Sequence, residues 1–388
     1  MMNKKLLAIA ILGSFGVAAH AQSSVTLYGV IDAGVSYVNH SKNAAGGSDK
    51  LFKYDDGVAQ GSRWGLRGSE DLGGGLKAIF LLENGFNSGN GTLGQGSREF
   101  GRQAYVGLAK DNVGSLTLGR QYTFSTDILG SYSTGAQTVA GNYAYHINDI
   151  DQLTSSRIDN AVKFTSANYS GFTFGALYGF SNQAGAFTGS PGTSGSSSAY
   201  SFGANYAAGP FGVGAAYTDI RFPSATSSAL PSATASTAIA GVTVPGTIHD
   251  LRTFGFGGRY SLGAATMWAL YTNTRFVPIT GTATTFDAYE LGGKYAFTTA
   301  LTAGLGYTYM HAGDALKGHW NQVDASVDYA LSKRTDVYLL GIYQRASGQN
   351  GAAQVQAQIG SSATAYFGQS GNGANNQLAF RVGLRHKF

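Results

Sequence analysis

The sequence predicts an all-β protein, a 16-stranded antiparallel β-barrel embedded in a membrane. Three observations predict it. The chain ends in Leu378-Ala379-Phe380-Arg381-Val382-Gly383-Leu384-Arg385-His386-Lys387-Phe388, where even positions are mostly apolar and odd positions small or basic. That two-residue period belongs to a strand with one greasy and one wet face. Segments of the same kind recur along the chain, separated alternately by short turns and by long Gly/Ser/Ala/Thr-rich stretches. Finally, after the first 21 residues every apolar run is interrupted by charged or polar residues. No segment can then cross a bilayer as a helix, and a closed barrel is the other structure that satisfies every backbone group in hydrocarbon.

The N-terminal segment is expected to be removed. Lys4 and Lys5 precede a short apolar run from Leu6 to Ala19, and Ala19-His20-Ala21 is an A-x-A cleavage site. This is the grammar of an export signal, which divides the chain into a signal peptide, 1–21, and one barrel domain, 22–388.

The strands follow in order. Residues 25–38 place Leu27, Ile31, Val35 and Tyr37 on one face, and 63–68 lead into the turn Asp71-Leu72-Gly73-Gly74-Gly75. The third strand carries Leu76, Ala78, Phe80 and Leu82 on one face, Lys77 and Glu83 on the other. Alternation recurs at 102–109, 115–122, 157–168, 172–180, 200–207, 211–220 and 251–261. It continues at 264–276, 286–297, 301–310, 322–331, 335–345 and 377–388, making 16 strands, an even number as single-chain bacterial barrels have. In 264–276, Met267, Trp268, Leu270 and Tyr271 compete for one face. Short connections such as Asp111-Asn112-Val113-Gly114 and Ala208-Gly209-Pro210 fit periplasmic turns, and the stretches near 181–199, 222–249 and 348–376 fit extracellular loops.

Composition agrees. Gly 57, Tyr 23 and Phe 22 suit a curved sheet with aromatic girdles, and Cys 0 leaves the fold without disulfides. Without Lys4 and Lys5 the balance is 24 basic to 21 acidic residues, too even to suggest nucleic-acid binding. Where the charges point matters more than their sum. A charge facing hydrocarbon at mid-depth costs roughly 2–4 kcal/mol, so strand parity turns Arg63, Arg67, Lys77, Arg157, Lys163, Arg381 and Arg385 inward. In the same reading Ile158, Val162 and Phe164 face lipid. Arg120 shares parity with Leu116 and Leu118 and points outward, where it is expected to meet a neighbouring subunit near Asn87 to Ser97 or to reach the headgroup rim.

The stretch Ser62-Arg63-Trp64-Gly65-Leu66-Arg67-Gly68-Ser69-Glu70-Asp71-Leu72 resembles the second strand and turn of Gram-negative general diffusion porins. Val25-Thr26-Leu27-Tyr28-Gly29-Val30-Ile31-Asp32, Tyr105-Val106-Gly107-Leu108, Leu116-Thr117-Leu118-Gly119-Arg120-Gln121-Tyr122 and the terminal Phe388 match the same family. The resemblance is greatest to beta-proteobacterial porins of the Burkholderia, Bordetella and Neisseria types. It implies a homotrimer of 16-stranded barrels in the outer membrane, surrounded by lipid and lipopolysaccharide. It also implies that Phe388 is the signal read by the barrel-assembly machinery, and that 123–156 fold inward as a constriction loop. Arg63, Arg102 and Arg157 would form a basic wall there, supported by Arg67, Lys77 and Arg381, facing loop acids Asp127, Asp149 and Asp151.

This chain departs from enteric members in having no acid between Gly130 and Tyr145. An arginine-rich wall with few opposing acids is expected to favour anions, unless Asp149, Asp151 or Glu83 supplies the missing charge. The expected function is passive diffusion of small hydrophilic solutes and ions. Alternatives are a substrate-specific channel using Tyr132, Tyr143 and Tyr145 as an aromatic slide, or a plugged adhesin. No nucleophile motif or metal-spaced triad is present, and His311, Asp314 and His319 read as a solvated loop. No enzyme activity, cofactor or metal is expected.

Overall fold

The computed structural model describes residues 24–182, 198–221, 238–239, 242–243, 248–279, 281–350, 353–361 and 367–388. The expected signal segment and parts of three long loops lie outside these. The described chain closes into a 16-stave antiparallel barrel. The staves run Ser24–Lys42, Arg63–Gly73, Leu76–Gly85, Gln103–Lys110, Gly114–Tyr122, Arg157–Ser166, Phe172–Phe180, Ser198–Ala208 and Phe211–Arg221, then Ile248–Leu262, Ala265–Pro278, Thr284–Ala296, Leu301–Asp314, Gly318–Ala330, Thr335–Ser347 and Asn376–Lys387. Each pairs with its sequence neighbour, and the last closes on the first from Val30↔Lys387 to Val38↔Ala379. Phe388 finishes that seam, its backbone exchanging two hydrogen bonds of 3.0 and 3.1 Å with Gly29. Gly73, Gly74 and Gly75 all have positive φ, the conformation that the first tight turn requires of them.

The second stave is longer than the alternation implied. Ser48–Asp56 pairs with the upper part of the first strand, Arg63–Ser69 with its lower part. Between them the chain leaves the wall at Gly57, where φ is +67°. Val58 is fully buried there, and its carbonyl accepts from Asn142 N at 2.7 Å.

Outward positions carry the apolar belt: Leu291, Phe256 and Val382 are 61–64% exposed, which in water would be an association hazard and in lipid is the required surface. Alternation resolves the ambiguous strand, with Met267 outward and Trp268 and Leu270 inward. Such inward apolar residues occur where something packs on the inner wall, as also at Phe286, Met310 and Trp320. One parity assignment fails. Asn160 has φ +52° at a register break opposite Arg120, and this bulge turns Ile158 inward against Gly179. The stretch 355–361 also turns inward, burying Val355, Ala357 and Ile359, while the Phe367 ring packs tilted against Tyr143 at 4.8 Å.

Candidate functional site: the constriction

After Tyr122 the chain turns into the lumen, and Thr123 N donates to Ser156 O at 3.1 Å to close the base of the loop 123–156. The loop contains short helical turns, Ser125–Leu129, Gly130–Tyr132 and Thr134–Gln137, the last capped by the Ser133 hydroxyl accepting from Ala136 N. Turns this short do not hold by themselves; the wall holds them. Phe124, Ile128, Leu129, Tyr132, Ile147 and Leu153 form an apolar underside packed on the barrel. The wall makes room with glycine. A Cβ on Gly203 would lie 2.6 Å from Ile128 Cδ1, and one on Gly257 2.7 Å from Tyr132 Cβ, so only a bare backbone allows the contact.

Polar tethers fix the loop on both sides. Towards the first strands, Tyr143 Oη donates to Asp55 Oδ2 and Asn142 Nδ2 to Gly57 O. Across the lumen, Glu290 accepts from Thr134 N and from its hydroxyl, and Trp268 Nε1 donates to the same hydroxyl at 3.0 Å. Lys294 Nζ donates to Gln137 O at 2.6 Å, and Gln322 Nε2 to Tyr143 O at 3.0 Å.

Between the loop and the opposing wall lies a cavity of about 390 Å³ lined by Arg63, Arg102, Arg157, Arg385, Tyr122, Tyr145 and Asp127, among others. A second cavity, about 520 Å³, shares Gln60, Ala136, Thr138 and Arg385 with it and adds Lys294, Lys387 and Asp328 towards the turns. Cations therefore continue from the constriction to the periplasmic side.

The arginines are not equivalent. Glu83 sits between two of them, with Arg102 Nε at 2.8 Å and Arg63 Nε at 3.5 Å, and accepts from the Tyr28 hydroxyl at 2.8 Å. Arg157 has no carboxylate partner among the described residues: it donates to Tyr122 Oη at 3.0 Å and Thr154 O at 3.2 Å, over the Tyr122 ring. Arg102 enters from the residue before its strand, where alternation no longer applies, while Val106 and Leu108 face out.

Other expected site residues fall elsewhere. Arg67 is exposed in the lumen over the Tyr28 ring, and Lys77 lies at the turn rim, 3.6 Å from Asp111. Arg381 corrects its assignment as a wall charge. Its side chain is fully buried beside Asp32, Tyr338 and Ser36, so it holds the barrel seam and does not meet the pore. Among the loop acids only Asp127 lines the cavity, where Lys163 pairs with it.

Asp149 and Asp151 are buried and do not line the cavity. Thr154 N and Oγ1 donate to Asp149, whose carboxyl is pushed up to about 6 by burial and by Asp151. Asp151 accepts from Thr272 Oγ1 at 2.7 Å and contacts His146 Nδ1. They anchor the loop and do not oppose the arginines. The tyrosines offered as a slide are also mostly sealed, since Tyr132 and Tyr143 are buried. Arg120 finds partners within its own chain, Gly101 O at 2.8 Å and Asp159, which Arg98 also contacts at 2.9 Å.

Glu290 and His146 carry much of the loop's anchoring and were not anticipated. No sequence motif marks either Glu290 or His146.

Comparison with known proteins places these features in a family. The Gram-negative porin family pattern matches residues 8–349. An outer membrane porin protein of Bordetella pertussis is 33% identical, covering 89% of this chain and 94% of the relative. Outer membrane porin protein 32 of Delftia acidovorans is 30% identical over the full length of both chains. Among solved structures, an anion-selective porin from Comamonas acidovorans aligns with a TM-score of 0.73 at 26% identity, covering 95% of this chain and 100% of that one. The chain thus belongs to the Gram-negative porin family and is a multi-pass β-barrel of the outer membrane.

Proposed function

We propose that this porin is a passive, water-filled channel whose constriction prefers anions among small hydrophilic solutes and ions. The observation that carries the preference is the charge of the constriction lining: Arg63, Arg102, Arg157 and Arg385 against Asp127 alone. Counter-charges behind the lining reduce the field without reversing it. Glu83 serves two arginines, Asp336 and Asp328 hold Arg385, and Lys163 offsets Asp127. Rings of charged side chains set ionic preference in such pores, and the Comamonas neighbour described as anion-selective supports the sign. Solutes diffuse down their gradient, sieved by the loop and steered by the field.

The barrel acts as a homotrimer in lipid and lipopolysaccharide, with the Arg98–Asp159–Arg120 cluster on its outer side as the expected subunit contact, and the Phe388 strand engages the assembly machinery. Proteoliposome swelling tests the diffusion reading with neutral, carboxylated and amino-substituted solutes of matched size. The expected order is carboxylated fastest and amino-substituted slowest. The reverse order would refute the preference, and no swelling with any solute would refute the open channel.

A further inference from the structure

The constriction loop is fastened to the wall across one fully buried charge bridge. His146, on the loop, has Nδ1 against Asp151 Oδ2 and Nε2 3.2 Å from Glu290 Oε2 on the strand Thr284–Ala296. Both partners already hold other groups: Asp151 accepts from Thr272 on the wall, and Glu290 from Thr134 on the loop. One imidazole therefore joins a loop carboxylate to a wall carboxylate at the centre of the network.

We propose that His146 is a positioning residue, whose imidazolium bridge between Asp151 and Glu290 holds the constriction loop in register with the wall and so sets the open area of the pore. This rests on the channel reading above, and the argument for it is electrostatic. Asp149 and Asp151 face the bridge from the loop, Glu290 and Asp324 from the wall, with the half-buried Tyr145 nearby. The imidazolium is the only basic side chain bonded within this group among the described residues. Buried like charges repel strongly, and removing one partner of a buried ionic network leaves the others uncompensated. Burial alone would strip the imidazole of its proton; the flanking Asp151 and Glu290 carboxylates outweigh it and raise the His146 pKa to about 10. The remaining tethers, Tyr143 to Asp55, Asn142 to Gly57 and Lys294 to Gln137, keep the loop inside the lumen when the bridge is broken. The loss should therefore appear as fluctuation of the pore area, with the barrel intact.

The test is single-channel recording of the full-length protein carrying His146→Gln, beside wild type, with heat-resistant assembly as the folding control. At about pH 7 the wild-type channel is quiet, and it becomes noisier as pH rises through about 10 and the imidazolium is lost. His146→Gln is noisy already at about pH 7, because its two carboxylates are left unbridged, and it shows no further rise in noise at alkaline pH. Adding Glu290→Gln to His146→Gln should restore a quiet channel at neutral pH. A quiet His146→Gln channel, a pH response of the same sign as wild type, or no rescue by the double variant would overturn the proposal. Failure of wild type itself to conduct would sink the channel reading and not this one alone.

Discussion

Arg157→Ala separates the proposed electrostatic account from a simple count of basic residues. Arg63 and Arg102 share Glu83, whereas Arg157 faces the cavity with no carboxylate partner among the described residues. Two unit charges ~4 Å apart interact by about 1 kcal/mol in bulk water and about 4 kcal/mol at an effective dielectric of 20. A water-filled lumen lies near the weaker limit, so losing Arg157 costs a passing anion about 1 kcal/mol and relieves a cation by about the same. The permeability ratio then moves by about 2 kcal/mol, and screening over a Debye length of about 10 Å at 0.1 M salt brings this to roughly tenfold.

The assay is the reversal potential in a salt gradient across a planar bilayer, with Lys77→Ala as control. Lys77 sits at the rim with Asp111, 44% exposed, and its removal should leave the potential almost unchanged. An unaltered potential in Arg157→Ala, or an equal shift in Lys77→Ala, would refute the reasoning.

Arg381→Ala should lower the thermal stability of the barrel and leave selectivity alone, because stranding buried Asp32 costs about 3–5 kcal/mol; heat-modified mobility together with reversal potential checks both halves. Gly203→Val should displace the loop, since even a Cβ would come within 2.6–2.7 Å of Ile128 and Phe124. Overpacking of this kind costs about 1–3 kcal/mol, and single-channel conductance should rise. Asp149→Asn should not move the reversal potential, because that carboxyl is buried and bonded to Thr154. The His146 bridge also predicts an alkaline limit. Its folded-state pKa, about 10, lies above the ordinary 6.5, so its stabilisation is full below 6.5 and lost as pH rises through 10. Wild-type current noise should increase across that range.

The barrel was legible because lipid enforces the alternation. A misplaced charge is costly on the outer face, so Phe380, Val382 and Leu384 declare their side unaided, and the partner strands follow. Legibility fails where the inner face stops being water. Trp268 and Leu270 point inward where the constriction loop packs, at Thr134 and Tyr132, and Phe286 packs on Trp320, whose Nε1 donates to Gln356 O; a two-residue period alone cannot distinguish such apolar surface from lipid. Ile158 was turned by a single bulge at Asn160, a backbone event with no compositional mark. The segment Ser48–Asp56 does alternate, with Phe52 and Tyr54 outward and Lys53 and Asp55 inward. It is short and charged, which hid it beside the plainer Arg63–Gly73.

The site was legible to a different degree. Motif resemblance and parity brought Arg63, Arg102 and Arg157 into view, and the structure brings them to one cavity. Charge counting supplied the loop acids but not their direction. Asp149 and Asp151 lie in a stretch without period, and only the tertiary contacts with Thr154, His146 and Thr272 show that they are spent inside the loop's anchoring and leave the cavity lining. Arg381 had the right parity and the wrong role, because neighbouring Asp32 and Tyr338 bury it. His146 offered no signal at all, being a single histidine outside any motif.

The measurement that tests the account most directly is the reversal potential of the purified wild-type channel in a potassium chloride gradient. The arginine-lined constriction predicts the sign of chloride preference, weakening as salt screens the field. A potassium-selective sign would contradict it, placing the controlling charge on Glu83 and Asp127 and not on Arg63, Arg102 and Arg157.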